Sequence, residues 1–333
     1  MQLRASVTKK GAVLLGKYVA CDGFHAATPL RVVTHAHADH LMGLRRSLKE
    51  CKVVIMTPAT KGFIDALKGP SFLTAGNVRP LEYGTTLVYK DERVSLHYVD
   101  HILGSAQVLV EETDGTRILY TSDFRLPKTP IIEADVLVME ATYGNPYRVR
   151  PFWERVENVL VSLVEDCLKF GPVYLFGYHG KLQEVMQLLY DAKVRVPFIV
   201  SERVLRVSEA CERHGMRFGE SLLLSGGEKA SSILQEGGPC VAFYHMNSRR
   251  KVGKDSFRVY VSGWQFSSPC RQVGEKEFRV ALSDHSDFDG LLGYVKRCKP
   301  KMVITDNYRE GDAVALAREI YERLGIPAKP LPT

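Results

Sequence analysis

The stretch Thr34-His35-Ala36-His37-Ala38-Asp39-His40 decides how this chain is read. It follows an apolar run, Leu30–Thr34, whose β-branched Val32 and Val33 predict a buried strand leading straight into the histidines. Side chains two apart on an extended segment share a face, so His35 and His37 can reach one metal ion together. Where the chain turns, Asp39 and His40 can address a second ion about 3.5–4 Å away, the usual separation in two-metal sites. Imidazole with carboxylate suits zinc, with manganese, magnesium or iron as alternatives. Three of the ten histidines fall within residues 35–40. A polar loop with chance histidines accounts poorly for that.

Outside the motif, the sequence sets broad bounds. A chain of 333 residues predicts one or two domains. Its 45% hydrophobic and 25% charged content is that of an ordinary globular protein. No apolar run approaches the roughly 18 residues that span a bilayer, which argues against a membrane role. The opening MQLRASVTKKG is basic but lacks an apolar core, so it does not read as a secretion signal. The seven cysteines are scattered singles with no CxxC pair, which fits a reducing cytoplasm rather than a disulfide framework. A net charge of +7 is a mild hint of a polyanionic partner and excludes little.

The first part of the chain reads as strand-rich, with Asp114-Gly115 marking one hairpin turn. After Pro146 the pattern changes to alternating strands and helices, the mark of a parallel sheet. From Phe278 it gives strand, helix, strand, helix. Two further residues can complete a metal centre. His101, in VDHILGSAQ, lies between a strand and a small-residue turn, and Asp123, in LYTSDFR, ends an apolar strand. A carboxylate at 123 could bridge two ions; the plain alternative is a turn aspartate.

HAHADH, a lone histidine before Gly-Ser, and SDF after a strand together resemble the metallo-β-lactamase fold. Asp22 in CDGFH is similar to the aspartate that supports the histidine ligands in that superfamily. Glu140 in MEATYG, the run LFGYHGKLQEV and His285 in SDHSDFDGL resemble the elements of the β-CASP nucleases, in the right order over nearly the whole chain. The resemblance implies an α/β fold, an αββα sandwich, interrupted by a small α/β domain. The expected boundaries are 1–145 and 278–333 for the sandwich and 146–277 for the insertion.

By this resemblance the first ion falls to His35, His37 and His101 and the second to Asp39 and His40, with Asp123 bridging. Asp22 orients a metal-bound imidazole. His285, held by Glu140, contacts or protonates a phosphate oxygen. The implied chemistry is phosphodiester hydrolysis by hydroxide at a two-metal centre. RNA-processing members carry a further histidine after the last buried strand, where this chain has Asp306 in VITDNY, either a substitute ligand or a turn residue. VSGWQF is more similar to the DNA-acting branch, and in size and wording the chain resembles prokaryotic DNA-ligase-associated exonucleases. The expectation is therefore a repair-type DNA exonuclease, with a ligase or helicase as the kind of partner implied. An RNA-processing nuclease and a non-catalytic nucleic-acid-binding member are the alternatives. Arg249, Arg250, Lys251 and Lys254 form the best candidate patch for phosphate contacts; the plain alternative is a solvated basic loop.

Overall fold

The computed structural model describes residues 4–219, 222–253 and 255–333. The chain divides into two compact units: residues 1–149 with 284–333, and residues 150–283.

The first unit is built on two mixed sheets. One runs Ala5–Val7, Val13–Leu15, Val19–Cys21, Leu30–Val32, Val53–Met56, Val78–Pro80 in spatial order. Its last four strands are parallel, and the Leu44–Glu50 and Pro58–Lys68 helices lie in the crossovers. The Pro58–Lys68 helix starts as expected of a first-turn proline, with Thr57 Oγ1 accepting from Thr60 N. The second sheet begins as an antiparallel meander, Thr86–Tyr89, Glu92–Tyr98, Ala106–Glu112 and Arg117–Tyr120, with Gly115 at φ +84° in the predicted hairpin turn. It continues with parallel Val136–Met139, Met302–Asp306 and Ala328–Leu331.

Period-2 patterning buries both faces of the second sheet. Val94, Val108, Ile118, Val138 and Ile304 pack against Val13, Leu15, Val32 and Ile55 of the first sheet. Their sequence neighbours Leu109, Leu119, Leu137 and Val303 turn the other way, onto Phe288, Leu291 and Tyr294 of the Phe288–Cys298 helix and Leu316 and Ile320 of the Ala313–Leu324 helix. The unit is thus a β-sandwich with helices packed on it.

The second unit has its own seven-stranded sheet, in the order Leu222–Leu224, Phe198–Val200, Val241–His245, Val173–Gly177, Phe257–Val261, Glu277–Val280, Cys270–Gly274. All but the last strand pair in parallel, as the strand–helix alternation predicts. The strand expected at Arg279–Leu282 is seen at Glu277–Val280, and it belongs to this unit because it pairs with Phe257–Val261. The observed division therefore falls at 149/150 and 283/284 rather than at 145/146 and 277/278.

Candidate metal centre

Five strands of the first unit deliver the site, all from their carboxyl ends, where α/β sheets expose loops and binding groups. Val19–Cys21 runs into Asp22, and Leu30–Val32 into Thr34 through His40. Arg117–Tyr120 runs into Ser122 and Asp123, Val136–Met139 into Glu140, and Glu92–Tyr98 toward His101. His101 comes from the turn after Glu92–Tyr98. That turn requires Gly104, which has φ +87° and whose Cβ, were there one, would lie 2.5 Å from Thr60 N. Thr57 and Thr60 both donate their hydroxyls to the Gly104 carbonyl and so pin it.

Ligand atoms of His35, His37, His101 and Asp123 lie within 4.8 Å of one another. His35 Nε2 and His101 Nε2 stand 3.6 and 3.7 Å from Asp123 Oδ2, and His101 Nε2 stands 3.0 Å from His37 Nδ1. Donors about 2.1 Å from a tetrahedral zinc are separated by about 3.4 Å, so these spacings fit an ion. His35 Nε2 and His40 Nε2 are buried and make no hydrogen bond among the described residues, an arrangement that is costly without a cation or proton. His40 Nε2 lies 3.2 Å from Asp123 Oδ2 and 3.3 Å from Asp39 Oδ2. Neither Asp39 nor His40 joins a metal-capable group of three or more among the described residues.

Buried partners fix the rings. His101 Nδ1 is 3.0 Å from the carbonyl of Asp284, which can only accept, so Nδ1 carries the proton and Nε2 presents a lone pair. His40 Nδ1 lies 2.7 Å from Asp22 Oδ2, which likewise accepts the Nδ1 proton. Asp22 also accepts from Thr34 N and Thr34 Oγ1, while Ser122 Oγ donates to Thr34 Oγ1 and approaches His35 Nδ1 at 3.3 Å. Asp22 and Ser122 are both held at positive φ, 55° and 57°, a strained conformation for non-glycine residues.

Charge follows this packing. Burial drives the His35 ring well below its ordinary pKa and takes His101 down to about 3, leaving neutral imidazoles of the kind a metal binds. Burial also opposes charge on His40, but Asp123, Asp22 and Asp39 together raise it well above its ordinary value. At Asp123 burial favours the acid, yet neighbouring His40 outweighs it and holds the carboxyl well below the carboxylate range.

Beside this cluster, His285 Nδ1 lies 2.8 Å from Glu140 Oε2, and Glu140 Oε1 accepts from Phe124 N at 2.7 Å. Burial opposes a charged His285 ring, but the Glu140 carboxylate raises its pKa to about 10. The His285 and His101 rings are 4.9 Å apart. Sequence reasoning thus finds the ligating residue types but passes over Thr34, Ser122 and Asp284, whose roles are hydrogen bonds to rings far away in sequence. Asp306 is not brought to the cluster: Arg309 Nη1 donates to its Oδ2 at 2.5 Å and Tyr308 N to its Oδ1. Arg249, Arg250 and Lys251 belong to the short turn Met246–Lys251 of the second unit, and Lys254 lies outside the described residues.

No family model matches the chain. Over 138 residues it is 37% identical to an uncharacterised protein in the lig 3′ region of Acidianus ambivalens, covering 41% of this chain and 99% of that one. Over 328 residues it is 36% identical to the transcription termination factor FttA of Methanothermobacter thermautotrophicus, covering 75% of this chain and 50% of that one. It is also 25% identical over 311 residues to a probable DNA ligase of Opitutus terrae, covering 87% of this chain and 28% of that one. The chain belongs to the β-CASP metallo-β-lactamase family. It spans only half of FttA and little more than a quarter of the ligase. A protein of unknown function from Enterococcus faecalis shares the fold, with a TM-score of 0.63 at 14% identity, covering 91% of this chain and 79% of that one. Membership in the β-CASP metallo-β-lactamase family implies divalent metal ions, and the histidine–aspartate cluster is where these residues could hold one. Among the described residues, no helix is long and apolar enough to cross a membrane.

Proposed function

We propose that this chain is a metal-dependent phosphodiesterase acting on nucleic acid, with DNA as the preferred substrate and exonucleolytic repair as its setting. The observation that carries the reading is the convergence of His35, His37, His101 and Asp123 beside the Glu140–His285 pair. The four would hold an ion, with Asp39 and His40 facing a second position. When bound, the metal supplies Lewis acidity and activates water near neutral pH.

The protein's own groups do the rest. Asp22 and the Asp284 carbonyl hold protons on His40 Nδ1 and His101 Nδ1, so Nε2 is the atom each ring turns inward. Glu140 grips His285 at Nδ1 and keeps the ring charged, so that Nε2 can donate to a phosphate oxygen or protonate the leaving oxygen. The unit 150–283 is read as the family's insertion. Within it, a surface cavity of about 670 Å³ is lined by Arg249, Arg250, Arg258 and Arg279, with Glu277 the one acidic residue among the described residues lining it, and suits phosphate contact.

The preference for DNA is supported by Ser262-Gly263-Trp264, by aspartate rather than histidine at 306, and by relatives named for a lig region and a DNA ligase. An RNA-processing role is favoured instead by Glu140 in its E-A-T-Y-G setting and by the similarity to FttA. Defined 5′- and 3′-labelled DNA and RNA strands, with Zn²⁺ or Mn²⁺, separate the two. Wild type should digest DNA and Asp123→Asn should not. Metal-dependent digestion of RNA alone would overturn the preference, and undiminished activity in the variant would remove the metal reading altogether.

A further inference from the structure

A cation already stands beside the Asp39–His40 pair. The Arg309 side chain is buried, and three groups hold it: Nη1 donates to Asp306 Oδ2 at 2.5 Å, and Nη2 to the carbonyls of Gly11 and Asp22 at 3.3 and 3.4 Å. Its Nε makes no hydrogen bond among the described residues and lies 3.9 Å from Asp39 Oδ2, the oxygen that also faces His40 Nε2. A guanidinium cannot release its charge at any ordinary pH, and its fork is fixed here at both Nη atoms. Asp39, which would have to turn fully to a second ion, is therefore shared with a permanent positive charge. Asp306, which stands where another ligand would be sought, is fully engaged by the same arginine.

We propose that Arg309 takes the place of the second ion as the fixed positive charge facing Asp39, so that this protein binds one divalent metal firmly and a second only weakly. The observation that carries the inference is the ion pairing of the buried Arg309 guanidinium with Asp306 and Asp39, on the same Asp39 oxygen that faces His40 Nε2. The inference rests on the reading that the four-residue cluster holds an ion. Placing a dication beside a fixed guanidinium is repulsive, whereas the four-residue cluster keeps its full complement of ligands.

The test is metal stoichiometry, not turnover. Full-length protein is stripped with chelator, dialysed and titrated with Zn²⁺ by calorimetry, with metal content checked by elemental analysis. Wild type should take up one equivalent tightly and a second at least tenfold more weakly. Arg309→Met, which keeps the bulk and removes the charge, should tighten the second equivalent at least tenfold and leave the first unchanged. Arg309→Lys, which keeps the charge, should resemble wild type. Because Arg309→Met leaves Asp306 buried without its partner, Asp306→Asn/Arg309→Met serves where the single variant fails to fold, with the same expectation. Two equally tight equivalents in wild type, or a second equivalent unmoved in the folded charge-removing variant, would overturn the proposal. Absence of any tight equivalent in wild type would instead defeat the metal-centre reading on which it depends.

Discussion

Glu140→Gln tests whether the Glu140–His285 pair works as proton donor. The substitution keeps volume, so packing is preserved, but an amide cannot serve both of its partners. Phe124 N donates to Oε1, and an amide oxygen retained there turns the NH₂ group toward His285 Nδ1. A donor now faces a donor unless the ring gives up its Nδ1 proton and its charge. A charge-assisted hydrogen bond of this kind contributes roughly 1.5–3 kcal/mol, equivalent to one to two pKa units or slightly more. General acid catalysis typically supplies roughly 10²–10⁴ in rate. A drop in kcat of about 30- to 100-fold is expected, or about 2–2.7 kcal/mol of barrier, with KM changed little. The pH profile carries the sign. With its pKa raised to about 10, the wild-type ring stays protonated through neutral pH and loses its proton only as pH rises through that value. The variant should show an alkaline fall in kcat that begins one or more units lower. Single-turnover rates on a labelled strand between pH 6 and 10 measure this directly. A variant within threefold of wild type, with an unmoved alkaline limb, would refute the assignment of His285 as the acid held by Glu140.

Other perturbations probe other parts of the site. Asp123→Asn should lose the tightly bound ion while far-UV circular dichroism stays unchanged, since the carboxylate is shared by His35, His40 and His101; retention of one equivalent by elemental analysis would contradict this. Asp22→Ala strands three buried donors, Thr34 N, Thr34 Oγ1 and the His40 ring, and should cost about 3–6 kcal/mol in urea unfolding, at roughly 1–2 kcal/mol each. Gly104→Ala forces a side chain to positive φ against Thr60 N and should cost more than about 1 kcal/mol, with the loss visible as a lowered Tm. Arg249→Ala/Arg250→Ala should weaken DNA binding across sequences and reduce the slope of log K against log salt by about 1.8, measured by anisotropy at several salt concentrations; an unchanged slope would leave these arginines without a phosphate role.

Much of the site is legible in sequence because metal chemistry uses few residue types at tight spacing, as in His35, His37, Asp39 and His40. Local signals also carry far in the fold. The helix begun at Pro58 ends at Lys68, and the Asp114-Gly115 turn joins the strands it implies. What escapes is set by distant pairing. Nothing local assigns the short Glu277–Val280 strand to either unit, and its ladder with Phe257–Val261 decides its place. Asp284 acts through a backbone carbonyl, which no side-chain pattern records. Arg309 lies three residues after Asp306 in an unremarkable polar loop, and its meaning comes from Gly11, Asp22 and Asp39, which lie some 270 to 300 positions away.

Those separations set an order of events during synthesis. Asp22 through Asp123 emerge from the ribosome first, but His101 finds the Asp284 carbonyl, and Glu140 finds His285, only after the whole 150–283 unit has been made. At roughly 5–20 residues per second, that delay is about 10–30 s. A nascent chain therefore carries the histidine motif without His285, the Asp284 carbonyl or Arg309, and the cluster gains these partners only after the 150–283 unit has been made.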